Sequence, residues 1–267
     1  MASPSTDPPA GVPILPAATL MPVRDAPGRG GLEVCLLRRN HRSTWVAGLA
    51  LFPGGAVDER DADPALIARC AFPPGAADDD RRAADFLAGG AAPWIAAIRE
   101  TFEEIGLLVA STDDGTWAHD SVERVLRVAT ARRAVELGQR ALADVLADEG
   151  LFLRLDLLRF VAHWVTPPGQ SRRYDTRFYL APVPASAPVD PDGTEIVAAG
   201  WVAPADAIAQ HAAGDLPMLP PTLGALHWLA PHGSVDEAVR AADALGDIPR
   251  WTPGDLDEAA RTADGTA

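Results

Sequence analysis

Residues 99–106 read Arg-Glu-Thr-Phe-Glu-Glu-Ile-Gly and follow a Phe-Pro-Gly-Gly turn at 52–55. On a helix, Glu100, Glu103 and Glu104 fall at i, i+3 and i+4 and share one face. Ile95, Ile98, Phe102 and Ile105 recur at spacings of three and four, so they form a core stripe on the other side. Gly106 predicts a helix C-cap, which puts the glutamates in the last turn, where the macrodipole disfavours negative charge. Like charges at i, i+4 cost roughly 0.2–0.5 kcal/mol more per pair. One reading is a solvated glutamate face. Such faces usually interleave basic residues, and here the only near one is Arg99. The spacing, the helix end and the preceding double glycine together favour a divalent-cation site.

The residues around this segment define what must position it. Residues 14–24 and 32–38 predict a strand pair around the turn-rich Pro27–Gly31, and Leu49–Phe52 a short strand into Pro53-Gly54-Gly55. The carboxylate helix is expected over about 93–105, with a strand at 107–110. Short helices are expected near 63–70 and 79–88. Residues 120–149 have helical periodicity, as one long helix or a hairpin, with no residue that demands a chemical role. Strands at 157–166, 174–181 and 196–202 and helices from 204, near 220–230 and near 234–244 complete an α/β or α+β pattern.

Composition narrows the partners. The chain has 267 residues, a net charge of −14 and 48% hydrophobic residues. That charge argues against a nucleic-acid or anionic-membrane surface, and no apolar run reaches membrane-spanning length. With no lysine among its 23 basic residues, the chain must hold phosphate by arginine, histidine, backbone amides or metal. Heavy alanine and arginine use suggests a bacterial source, and the N-terminus lacks a signal pattern, so a cytoplasmic protein is expected. Cys35 and Cys70 read as reduced core thiols.

With these residues in view, the chain resembles the Nudix hydrolases. Their box is a glycine, five residues, a glutamate, seven residues, then Arg-Glu-apolar-x-Glu-Glu-x-Gly-apolar. Gly55 and Arg99–Leu107 match it, with Thr101 at an apolar position. The span from Gly55 to Arg99 is longer than in the box, and Asp61 stands at the first glutamate position, with Asp58 and Glu59 nearby. The long insert resembles the subfamily that includes an animal peroxisomal coenzyme A diphosphatase. The landmarks are 51–58, 96–106, 173–181, Trp201 and 219–222. The chain ends Asp-Gly-Thr-Ala, without the short peroxisomal address, so that location is not expected.

The resemblance implies an α/β/α sandwich with a mixed sheet, an extended box loop and a helical insertion. A disordered lead over 1–12, a domain over 13–232 with insertions at about 59–92 and 112–155, and a C-terminal helix with an acidic tail over 233–267 are expected. It implies Mg²⁺, or Mn²⁺, held by Glu100, Glu103, Glu104 and the backbone of Gly55, with Arg99 orienting the glutamates. Glu103, Glu104 or the loop residue Glu195 would act as general base. Arg38, Arg39 and Arg42 form one candidate substrate-binding set and Arg173 and Arg177 a second. His163 reads as a satisfied core histidine and His41 as a loop candidate. The implied reaction is hydrolysis of a small-molecule diphosphate, with coenzyme A or acyl-coenzyme A foremost. ADP-ribose, nucleotide sugars or dinucleotides are the alternative substrates, a non-catalytic ligand-binding regulator is the alternative class, and a homodimer is possible.

Overall fold

The computed structural model describes residues 11–28, 30–41, 47–72, 90–248 and 250–251. Among the described residues eleven strands run in chain order. They are β1 (Ile14–Asp25), β2 (Leu32–Arg39), β3 (Ala50–Leu51), β4 (Gly54–Ala56), β5 (Cys70–Ala71), β6 (Ala110–Ser111), β7 (Phe152–Arg154), β8 (Arg159–Val165), β9 (Arg173–Pro182), β10 (Ile196–Val202) and β11 (Arg250–Trp251). The helices among the described residues are α1 (Pro64–Ile67), α2 (Ala92–Ile105), α3 (Val122–Glu136), α4 (Leu142–Glu149), α5 (Pro204–Ala213), α6 (Pro220–Leu229) and α7 (Val235–Asp243).

Because side chains alternate along a strand, β1 presents Ala18 and Leu20 to one side and Met21 and Val23 to the other. All four are buried, which requires cover on both faces. The sheet runs β10-β2-β1-β9-β8-β11, with β3 on β2 and β4 on β1. The pairs β1–β9 and β8–β11 are parallel and the other pairs of this sheet antiparallel, so it is mixed.

Helix α2 covers one face. Its stripe of Trp94, Ile95, Ile98, Phe102 and Ile105 joins Ala18, Leu20, Cys35, Leu37 and Tyr179 in one core. Fully burying one such aliphatic or Phe side chain contributes about 1.5–3 kcal/mol, so this stripe anchors the helix in a single rotational setting. On the other face Ala207, Leu226, Leu229, Ala238 and Ala242 of α5, α6 and α7 pack on Met21, Val23, Val34 and Leu36. The result is the expected α/β/α sandwich. Outside α2, the helices α3 and α4 and a small sheet β5-β7-β6 extend the first core.

Three expectations need correction or qualification. The strand expected at 107–110 shrinks to Ala110–Ser111, because Leu107, Leu108 and Val109 bury their side chains directly beyond the helix and the ladder with β7 is formed by the next pair, with Val109 adding only its carbonyl as acceptor for the Arg154 amide. The 120–149 segment is two helices, broken at the positive-φ Gly138. The helix expected near 79–88 lies outside the described residues. Among those described, no helix is long and apolar enough to cross a membrane.

Candidate active site

The last two turns of α2 lie over the Gly54–Gly55 segment of β4, where β1 leaves no room for a side chain at Gly54 and Glu100 of the helix leaves none at Gly55. Gly54 has a φ of +156°, and a Cβ on it would lie 2.4 Å from the Ala18 carbonyl oxygen. A Cβ on Gly55 would lie 2.4 Å from the Glu100 carboxyl carbon. The Gly54 amide donates to Glu104 Oε2 at 2.9 Å. Gly106 ends the helix with φ +70°, its N–H donating to the Phe102 carbonyl, as its sequence position predicted.

Arg99 is buried and organises the acidic face. Its Nε and Nη2 meet Asp61 Oδ1 and Oδ2 at 2.7 and 2.9 Å, a bidentate pair. Its Nη1 donates to Glu100 Oε1 at 2.8 Å and to Glu103 Oε2 at 3.2 Å, and Nη2 also reaches the Ala56 carbonyl. Asp61, at the position where the box has its first glutamate, is fully buried and closes the capping box of a 3₁₀ turn begun by Asp58. The shorter aspartate reaches Arg99 because that turn carries it inward. Burial opposes the Arg99 charge, but Asp61, Glu100 and Glu103 outweigh it and hold its pKa above the ordinary value.

The cations nearby do not balance the carboxylates. Burial, then the charge of Glu100, pushes Glu104 up from 4.5 to about 8, with the Gly54 amide and Arg39 offsetting this only in part. Burial likewise raises Glu103, against the pull of Arg99. Glu103 Oε1 is buried without a hydrogen-bond donor, although the Arg60 guanidinium lies 3.3 Å away as an ion pair. Incompletely offset negative charge, a buried carboxylate oxygen with no hydrogen-bond donor and side-chain-free backbone at Gly55 form a hard-oxygen donor set that fits a divalent cation. Among the described residues the acidic, histidine and cysteine side chains are not gathered on one point as ready-made metal ligands. In this conformation Glu100, Glu103 and Glu104 share the expected helix face, but Arg99 and the Gly54 amide engage them separately.

The remaining candidates scatter over the sheet. Arg39 lies on the α2 side of β2, beside Cys35 and Leu37, and forms an ion pair with Glu195 at the start of β10. Through Arg39, Glu195 joins the edge of the site, with its side chain 55% exposed. Arg38 alternates to the opposite face with Leu36 and donates to the Asp215 carbonyl at 3.0 Å, so it does not join the carboxylates. Arg42 lies outside the described residues. Arg173 donates to the Thr166 carbonyl at 3.0 Å, and Arg177 lies with its guanidinium carbon 5.9 Å from the centre of the Phe160 ring. His163 is satisfied, as expected, by a hydrogen bond to Asp175, and His41 abuts Gly48. Cys35 and Cys70 are free and buried, their thiols pushed up to about 12 by burial.

Two supporting residues escaped sequence reasoning. Arg132 of α3 donates to the Glu103 carbonyl at 2.9 Å and to the Asp190 carbonyl at 2.6 Å. It places a positive charge at the C-terminus of α2, where orphan carbonyls and the dipole favour one. The 190–192 loop helps, since the Asp190 and Asp192 amides donate to the Ile105 and Glu104 carbonyls. Arg60 contacts Glu103 and the Val135 carbonyl. Nothing local in the sequence marks either arginine, because each acts across tens of residues.

Comparison with known proteins places this arrangement. A family model described as the NUDT19 Nudix domain matches residues 62–229. A solved structure of a NUDIX hydrolase from Alicyclobacillus acidocaldarius is 31% identical, with a TM-score of 0.71, covering 90% of this chain and all of that one. The acyl-coenzyme A diphosphatase NUDT19 of Gallus gallus is 29% identical over 89% of this chain and 74% of its own length. The human protein of the same name is 27% identical over 88% and 71%. The expectation of a bacterial, cytoplasmic protein is corrected here. These curated relatives are vertebrate, so arginine-rich, lysine-free composition does not identify source or compartment. A box helix seated on a double-glycine strand, a match over most of the domain and a similar solved fold agree that the chain belongs to the Nudix hydrolase family.

Proposed function

We propose that this protein hydrolyses the diphosphate linkage of coenzyme A or an acyl-coenzyme A, releasing adenosine bisphosphate and a phosphopantetheine-type product. The observation that carries the reading is the acidic face of α2, held by Arg99 and Asp61 against Gly54 and Gly55. The names of the chicken and human relatives supply the substrate class. Glu100, Glu103 and Glu104, with the Gly55 backbone, would hold Mg²⁺ or Mn²⁺. Such an ion supplies charge neutralisation at phosphoryl oxygens and a lowered pKa for bound water.

The chain's own residues do the rest. Arg99 orients Glu100 and Glu103, and the Gly54 amide orients Glu104. We assign proton acceptance to the Glu103–Glu104 pair, whose carboxylates are held above their ordinary range, rather than to Glu195, whose charge Arg39 neutralises. Arg39 lies where it can meet substrate phosphate from the other edge.

The test is a panel of coenzyme A, acyl-coenzyme A, ADP-ribose, nucleotide sugars and dinucleotides, with mass detection of both products in Mg²⁺, Mn²⁺ and chelator. Turnover led by the coenzyme A compounds supports the reading. Preference for ADP-ribose or another diphosphate replaces the substrate, and binding without turnover on any compound replaces the enzyme.

A further inference from the structure

One row of residues crosses the sheet at the level of Gly55. Gly55 pairs with Ala18, Ala18 with Arg177, Arg177 with His163, and His163 with Arg250. Paired residues point to the same face, and Ala18 belongs to the core under α2. Arg177, His163 and Arg250 therefore line the face that carries the carboxylate helix, two to four strands farther along. At the usual strand separation Arg177 begins roughly 10 Å from Gly55, over which the Glu100 carboxylate lies. Its guanidinium lies toward Phe160 of β8, away from the carboxylates.

The charges of this row are arranged so that one stays uncommitted. Asp175, two residues before Arg177 and on the same face, is engaged by both His163 and Arg250. Arg173, at the outer end, is held by the Thr166 carbonyl. Arg177 is half-buried and has no carboxylate partner among the described residues. In a chain of net charge −14, where most of the described arginines are paired, a half-buried guanidinium on this face that meets only the Phe160 ring and no described carboxylate implies an anion from outside.

We propose that Arg177 is a specificity-determining residue that binds a phosphate monoester carried by the substrate outside the diphosphate being cleaved, and that Asp175, clamped by His163 and Arg250, is prevented from neutralising it. This deepens the function proposed above and rests on it for the location of the diphosphate. The row favours substrates with a phosphorylated ribose over otherwise identical ones without that phosphate.

The test measures binding of adenosine 3′,5′-bisphosphate and of AMP, with Mg²⁺ present, by calorimetry on the full chain and on Arg177→Leu and Arg177→Lys. Wild type should prefer the bisphosphate by roughly ten- to a hundredfold, the usual range for a charge-assisted contact. Arg177→Leu should lose that preference while keeping its affinity for AMP, and Arg177→Lys should recover part of it. Equal affinity of wild type for the two nucleotides, retention of the preference in Arg177→Leu, or an equal loss of both ligands would overturn the proposal. Because binding is read directly, a protein that shows this preference but cleaves no coenzyme A compound would refute the proposed reaction and leave the subsite standing.

Discussion

Replacing Glu104 by Gln should stabilise the metal-free protein at alkaline pH while removing its activity. Glu104 is buried, accepts from the Gly54 amide and titrates near 8 in the fold, against the ordinary glutamate value of 4.5. A raised carboxyl pKa means the folded chain keeps a proton that the unfolded chain releases. Stability is then full below pH 4.5, falls as pH rises, and reaches its minimum above about 8. At about 1.4 kcal/mol per pH unit, that interval sets an upper bound of roughly 5 kcal/mol. Gln has nearly the same shape and keeps an acceptor for Gly54, but it carries no charge to desolvate. The variant should therefore match wild type within about 1 kcal/mol at pH 5 and exceed it by several kcal/mol, up to that bound, at pH 9. Urea unfolding in chelator across this range measures the difference. Saturating Mg²⁺ should stabilise wild type by about 2.7 kcal/mol at a hundred times its dissociation constant, and the variant less. An unchanged stability difference between pH 5 and 9, or equal stabilisation of both proteins by Mg²⁺, would refute the reasoning.

Further outcomes follow from the same contacts. Asp61→Asn removes the buried charge partner of Arg99 and replaces one of its two acceptors by an NH2 donor, and should lower stability by about 3–5 kcal/mol in denaturant unfolding. Gly55→Ala must displace the Glu100 carboxylate, so calorimetry should show weaker Mg²⁺ binding and assays a loss of turnover, with the helix content unchanged by circular dichroism. Arg39→Met removes a charge that lowers the Glu104 pKa, so the acid limb of the kcat/KM profile should move to higher pH. Arg132→Ala uncovers two carbonyls at and beyond the end of α2 and should cost about 1–3 kcal/mol in thermal melts.

The legibility of this chain was uneven for physical reasons. The strands at 14–25, 32–39 and 173–182 announced themselves because each is bounded by turn residues and carries a run of buried apolar side chains. The segment at 107–109 misled, since an apolar run reads as a strand whether its neighbours hydrogen-bond to it or only cover it. Arg38 and Arg39 looked equivalent as a pair. The pleat sent one to each face, and only Arg39 met the acidic loop residue Glu195. Asp61 stood in an aspartate-rich stretch with several candidates, and the capping turn selected it.

Residue spacing by itself determined that three glutamates share one helix face, that a double glycine precedes them and that an arginine adjoins them, because helical periodicity is a local property. The long-range pairing of that face was decided only in three dimensions. Asp61 lies 38 residues from Arg99, Gly54 lies 50 from Glu104, and Arg132 lies 29 from the Glu103 carbonyl. Desolvation, which turns ordinary glutamates into proton-holding groups, arises from the packed sheet beneath them and from no feature of the adjoining residues. The row from Gly55 to Arg250 likewise exists only through strand register, which brings five distant segments into line.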